Sequence, residues 1–286
     1  MKVIKLTYPV PEEVIRASKP AVFALGFFDG LHKGHQVLIQ KAKNMAIQRG
    51  EQLAVMTFDV HPSTVIPNKE PRHRLLSPLQ HKKRKLEDMG VDYLYLIQFD
   101  MQVAKVPHQT FVKEFLLNLK CTHTVAGFDY TYGFKGEGTI QKLSTDAKGK
   151  LSVTVVPKYK LNDEKVSSTK IRNLLTEGYL DHVAELLGET YRTEGFLLNE
   201  GESWKYQLYD QYVLPADGKY SVLLWDGNED LPALAEVKYS GSEHPEVHIY
   251  GEAEDLNQLR VTVKWASPAK SHLSAEAQHK AVQLSS

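Results

Sequence analysis

The chain has 286 residues, enough for two ordinary domains, and 42% hydrophobic with 24% charged residues is a globular composition that excludes disordered and fibrous classes. Its 35 Lys plus Arg balance 35 Asp plus Glu, so no global charge recruits nucleic acid or a membrane surface. A single cysteine, Cys121, excludes an intrachain disulfide framework and is expected to be a plain buried thiol; without a leader-like or membrane-spanning apolar run, the expected setting is the cytoplasm.

In chain order, "AVFAL" (21–25) reads as a buried strand, and "HQVLIQKAKNMAIQR" (35–49) places Leu38, Ala42, Met45 and Ala46 at helical spacing. Strands follow at "QLAVMTF" (52–58), "DYLYLI" (92–97), "HTVAG" (123–127) and "LSVTVV" (151–156), with a helix predicted over 109–119. Near-continuous apolar strands separated by helices indicate a parallel sheet covered on both faces, with ligands beyond the carboxyl ends of its strands. "HKKRK" (81–85) reads as the solvated face of a helix start, with an RNA contact as the alternative, and "NDEK" (162–165) as a loop. After residue 190 the pattern changes. "EGFLLNE", "KYQLYD", "GKYSVLLW", "ALAEVKYS", "EVHIYG" and "LRVTVKW" are short strands between turn residues, the pattern of a small antiparallel barrel. A polar helix is predicted in the closing "SAEAQHKAVQL". The expected domains are 1–187 and 188–286.

The segment "GFFDGLHKGH" (26–35) joins the first strand to the first long helix. Gly26 and Gly30 open backbone geometries closed to other residues and allow a ligand near the main chain, and Gly34 keeps the helix start clear. A helix N-terminus offers unpaired N–H groups and positive potential, which suit a phosphate. His32 and His35 can aim imidazole donors at the same oxygens. A tight turn with two unremarkable histidines is the plain alternative, and no neighbouring Cys/His set completes a zinc site.

"HKGH" resembles the His-x-Gly-His signature of nucleotidyltransferases, and "GFFDGLHKGHQ" resembles the opening motif of the bacterial FAD synthetases, the bifunctional riboflavin kinase/FMN adenylyltransferases. "KVSSTKIRNLL" (165–175) resembles that family's "SST-x-IR" segment, a mobile loop that closes on the triphosphate. "TFDVHP" (57–62) resembles "TF-x-PHP", with Val60 in place of the usual proline, and "AGFDYTYGFKGEG" (126–138) resembles a flavin-pocket segment. The spaced "RLLS…K…L…GVD" (74–92) fits too, so the resemblance covers most of residues 15–190.

The resemblance implies a Rossmann-like nucleotidyltransferase domain followed by a riboflavin-kinase-like barrel with a terminal helix. It implies adenylyl transfer from ATP to FMN, giving FAD and pyrophosphate, with Mg²⁺ accompanying the triphosphate and ATP and FMN as the small-molecule partners. His32, His35, Ser168, Thr169 and Arg172 would be the catalytic set. ATP would also meet Gly26, Phe27, Phe28, Asp29, Gly30, Gly34 and Ser167, with Asp29 steering the loop or a magnesium water shell. Phe58, His61, Pro62, Asp129, Tyr130, Tyr132 and Phe134 would line the flavin pocket. The second domain departs from the pattern: Glu246 falls where the family keeps a catalytic glutamate, but "PTAN" has no counterpart and "LLGRPY" reads "LLGETY". The expectation is therefore a monofunctional FMN adenylyltransferase with a degenerate kinase barrel. A bifunctional enzyme with an atypical kinase site and a non-catalytic flavin- or nucleotide-binding regulator are the alternatives.

Overall fold

The computed structural model describes residues 1–66, 74–77, 79–209, 212–239, 245–251 and 260–268. The polar helix predicted in 274–284 lies outside these residues. Packing divides the chain into two compact units, one of Met1–His73 with Leu79–Lys165 and the other of Arg74–Pro78 with Val166–Ser286.

The first unit runs β1 (Lys2–Leu6), α1 (Glu12–Ala17), β2 (Ala21–Leu25), α2 (Lys33–Arg49), β3 (Gln52–Phe58), α3 (Leu79–Asp88) and β4 (Tyr93–Ile97). It continues through α4 (His108–Phe111), β5 (Cys121–Gly127), β6 (Thr131–Tyr132), β7 (Gly138–Thr139), α5 (Leu143–Asp146), β8 (Ser152–Val156), β9 (Lys160–Leu161) and β10 (Glu164–Lys165). Among the described residues a six-stranded sheet has the order β1-β4-β3-β2-β5-β8, and every pairing in it is parallel. All five residues of β2 are buried, as a central strand covered on both faces requires. Phe23 and Leu25 enter one core with Tyr95, Phe111 and Phe115. Val22 and Ala24 enter the other with Leu38, Ile39 and Val55.

The five strands and the first helix expected from the sequence are present. The segment expected as a helix over 109–119 is a single α-turn that widens into a π-helix at Val112–Leu117, burying Val112, Phe115 and Leu116. β3 and β4 lie on one side of β2 and β5 on the other, so the chain reverses its direction of travel across the sheet at β2. The loops leaving β2 and β5 open a crevice at that switch point.

The second unit contains α6 (Ser168–Thr176), α7 (Leu180–Leu187) and strands β11 (Tyr191–Asn199), β12 (Trp204–Leu208), β13 (Gly218–Trp225), β14 (Asp230–Lys238), β15 (Glu246–Tyr250) and β16 (Arg260–Pro268). The strands close into an antiparallel barrel of order β11-β12-β15-β14-β13-β16, as the six alternating segments predicted. Inside it, Trp265 Nε1 donates to Thr193 Oγ1 (3.0 Å), which lies 3.0 Å from the Tyr206 hydroxyl. The change of sequence pattern near 187/188 and the packing division at Lys165/Val166 do not coincide. The intervening α7 buries Leu180, Val183, Leu186 and Leu187 and packs on β11 and β16.

Phe115 is fully buried and packs on Phe111 at 5.0 Å between ring centroids, so Phe115→Ala should cost about 3–5 kcal/mol in urea denaturation. Val37 is 42% exposed on α2, and Val37→Ala should stay within about 0.5 kcal/mol of the parent chain.

Candidate active site

β2 ends in an unusual turn. The Phe27 carbonyl accepts hydrogen bonds from Thr57 Oγ1 (2.8 Å) and Lys82 Nζ (3.2 Å). Beyond it Phe28, Gly30 and Leu31 have φ of +54°, +76° and +42°. For the two non-glycine residues a left-handed backbone costs about 1–2 kcal/mol each. The burial of both side chains, at 0% and 1% exposure, offsets that cost. Gly26 does not have a positive φ. Its role is close approach, because a Cβ there would lie 2.9 Å from the Phe28 ring.

The turn delivers the chain into α2 with His32 as N-cap. His32 Nδ1 accepts from the His35 backbone N–H (3.3 Å), which puts the neutral ring's proton on Nε2. The two rings stack at 3.6 Å between centroids and 14° between planes. Gly34 makes room for this, since a Cβ there would meet the His32 ring at 3.3 Å. His35 Nδ1 is buried and has no hydrogen-bond partner among the described residues. The first turn of α2 carries no acidic residue, so its positive end is left for an outside anion.

Burial, opposed by its own backbone hydrogen bond and reinforced by Lys85 and Lys165, lowers the His32 pKa to about 4. Burial, with His32, Lys82 and Lys85 nearby, pushes His35 well below the ordinary histidine value. Both rings are therefore neutral at pH 7 without ligand.

A cavity of about 330 Å³ opens beside His35, at the lower end of the size usual for small-molecule sites. Gly26, Phe27 and Phe28 border it from the turn, Phe58, His61 and Pro62 from the end of β3, and Asp129 and Tyr130 from the loop after β5. His61 is held by Ser63, whose backbone N–H donates to Nδ1 at 3.1 Å, and its ring stands edge-on to Phe27 at 4.9 Å. One cavity thus combines flat aromatic walls with the His35 side chain from the first turn of a helix.

Residues 14–170 match the FAD synthetase family model. The chain belongs to the FAD synthetase family. A bifunctional riboflavin kinase/FMN adenylyltransferase of Listeria monocytogenes is 39% identical over 249 residues, which are 84% of this chain and 79% of that protein. The Bacillus subtilis protein of the same name is 32% identical over 93% of this chain and 89% of its own length. A Listeria protein named FAD synthetase is 33% identical over 71% of this chain and 81% of its own. The crystal structure of a protein named macrolide-efflux protein, from Streptococcus pneumoniae, has a TM-score of 0.82 at 26% identity, covering 98% of this chain and 96% of that one.

The residues expected from the FAD synthetase resemblance fall into three groups. His35, Gly26, Phe27, Phe28, Phe58, His61, Pro62, Asp129 and Tyr130 line the one cavity, with His32 directly behind His35. Tyr132 and Phe134 do not line it. Tyr132 is 3% exposed and turned into the core, where its hydroxyl donates to Asp146 at 2.6 Å and its ring lies 5.6 Å from Phe111. Phe134 lies on the short turn after β6, with the Lys135 ammonium over its ring. In the second unit Ser167 caps α6, accepting from Lys170 N–H at 3.3 Å, Ser168 and Thr169 open the helix, and Arg172 Nε donates to the Arg74 carbonyl at 3.3 Å.

Asp29 is 2% exposed and its charge acts on Lys82. One reading changes. "HKKRK" is not a solvated face throughout, because His81 and Lys82 are buried on α3. Thr57 and Lys82, which hold the turn from below, were not singled out in the sequence. Thr57 ending a buried strand was the available signal, whereas a lysine within a run of cations gives none. Cys121 is a buried thiol that burial pushes to a higher pKa, as expected of a structural cysteine.

The depressed histidine values set a pH dependence. Their stabilising contribution is complete above the unfolded value of about 6.5 and is lost as pH falls from there towards about 4 for His32. Ligand-free protein should lose up to about 1.4 kcal/mol per pH unit across this window from His32. His32→Asn, whose side-chain oxygen takes over from Nδ1 as the cap acceptor, should flatten the slope relative to the parent in denaturant titrations at stepped pH.

Proposed function

We propose that this chain transfers the adenylyl group of MgATP to FMN, giving FAD and pyrophosphate, and that it carries no riboflavin kinase activity. The observation that carries the first part is the cavity where aromatic walls meet His35 in the first turn of α2. A ligand with a flat aromatic ring and a phosphate satisfies both ends, and the family supplies its identity.

In this reading the FMN phosphate attacks the α-phosphorus of ATP in line, one P–O bond forming as the bond to the departing pyrophosphate breaks. With a second pKa of about 6 the attacking phosphate is already ionised at neutral pH, so no general base is required. His35 and the α2 N-terminus stabilise charge on the α-phosphate, with His32 holding His35 in place by stacking and capping. The arriving negative charge shifts both histidine values back towards the ordinary range, and the rings act as hydrogen-bond donors. Ser168, Thr169 and Arg172 are assigned to the β- and γ-phosphates, and magnesium enters as part of the nucleotide substrate. Phe58, His61 and Tyr130 are assigned to the flavin. One buried cysteine suits a reducing compartment, and we place the enzyme in the cytoplasm.

The second part rests on the barrel. The relatives from Listeria and Bacillus are named bifunctional, but β11 runs through Tyr191–Asn199 with no "PTAN" sequence at or after it. Glu189, which stands in "LLGETY" where the family reads "LLGRPY", pairs with Arg192 just beyond it at 3.0 Å. The Glu246 carboxylate is engaged by Lys205 at 3.1 Å.

His35→Ala should lower turnover roughly 10²–10³-fold, the scale for a lost transition-state donor, with chromatography of FAD as the readout. Near-normal FAD formation by this variant would overturn its assignment. Purified protein given MgATP should make FAD from FMN and nothing from riboflavin. FMN appearing from riboflavin would establish the bifunctional reading instead.

A further inference from the structure

Lys82 is the charged group that the proposed reaction leaves unused. It is 5% exposed on α3, while Arg84, two residues on, is exposed. A lysine is almost never buried this far without partners, because removing an ammonium from water is expensive. Its partners are all in the turn after β2. The Nζ donates to the Phe27 carbonyl at 3.2 Å, lies 4.9 Å from the centre of the Phe27 ring, and is attracted by the buried Asp29. Lys82 is absent from the cavity lining, so it acts through these contacts and through its charge, which also reaches His35.

The carbonyl it holds belongs to the same rigid peptide plane as the Phe28 N–H. Thr57 Oγ1 and Lys82 Nζ together fix that plane, and the plane sets the start of the left-handed residue Phe28. The Phe28 ring then stands edge-on to His35 at 5.3 Å, and His35 stacks on His32 at 3.6 Å. Each link is a direct contact.

We propose that Lys82 is a positioning residue for adenylyl transfer: with Thr57 it locks the Phe27 carbonyl, and thereby the left-handed turn that aims His35 into the cavity. The proposal rests on the adenylyl-transfer reading for its effect on rate, and on geometry alone for its effect on the histidine pair. Misplacing a catalytic group by about 1 Å costs on the order of 10²-fold. Lys82→Met, which keeps length and burial but removes the donor, should lower kcat about 10- to 100-fold while leaving KM for FMN little changed. Thr57→Val removes the other donor and should move kcat in the same direction. The double variant should lose less than the product of the two effects, since both act on one oxygen.

NMR of ligand-free protein supplies a readout independent of activity. The 3.6 Å stack gives the His35 ring protons an upfield ring-current shift, which Lys82→Met should reduce and Val37→Ala should leave alone. A general loss of stability would not move it. Lys82→Met with kcat within about twofold of the parent and an unchanged His35 shift overturns the proposal. If Lys82→Met does not fold, Thr57→Val decides, and an unchanged His35 shift in that variant overturns the proposal equally. An inactive parent protein would overturn the adenylyl-transfer reading alone, and the ring-current shift would then judge Lys82 by itself.

Discussion

The first unit depends on one demand: the N-terminus of a long helix has to stand open beside the carboxyl end of a buried central strand. β2 is covered on both faces and cannot drift to the surface before it turns, so the reversal takes place within Gly26–Leu31. Two non-glycine residues in left-handed conformation are the cost, and their buried side chains together with the doubly held Phe27 carbonyl keep them there. Because α2 packs on β2, β3 and β5, its N-terminus is anchored to the three strands whose loops border the cavity.

Electrostatics explain why histidines occupy this place. A guanidinium or ammonium facing the cavity would be a charge without a partner whenever the phosphate is absent. Neutral imidazoles avoid that cost, and the pair is driven neutral by its own burial and by the cations behind it. Lys82 is instead kept behind the turn, where burial lowers its pKa, Asp29 and a carbonyl favour its charged form, and its potential still reaches His35. The histidine end of the site thus presents neutral groups with cationic side chains behind them.

Much of this architecture was legible in the sequence because its elements follow strong periodicities. The buried strands and α2 declare themselves by apolar runs and by Leu38, Ala42 and Ala46 on one face. The strand β1, with alternating Lys2, Val3, Ile4 and Lys5, has too short and mixed a pattern to announce an edge strand, and it pairs only with β4. The π-helical turn at Val112–Leu117 was hidden because its apolar spacing fits an ordinary helix. The site was legible as motifs and not as support. The sequence marks "GFFDGLHKGH", but that Lys82 turns inward from "HKKRK" depends on α3 packing beside the turn, which no local pattern encodes. That Tyr132 does not border the cavity was hidden for a related reason: the tip of an aromatic segment looks like a wall until Asp146, fourteen residues on, accepts from its hydroxyl.

The barrel raises a different question, whether a retained fold implies a retained reaction. Its stability comes from alternating interior residues, from the Trp265–Thr193–Tyr206 network and from the pairing of buried Glu194 with Arg260. None of these is one of the kinase motif residues. Substrate-binding segments of such folds sit in loops between strands, and loops can change without disturbing the core that positions them. Loss of a "PTAN" segment therefore has no structural consequence that would remove the barrel, and a closed barrel at 39% identity to a bifunctional protein is compatible with either outcome. Locally, the sequence carries no "PTAN", and Glu246 is paired with Lys205. An exposed ion pair of this kind contributes at most about 1 kcal/mol, so the pairing records the use to which the carboxylate is put rather than a barrier to another use.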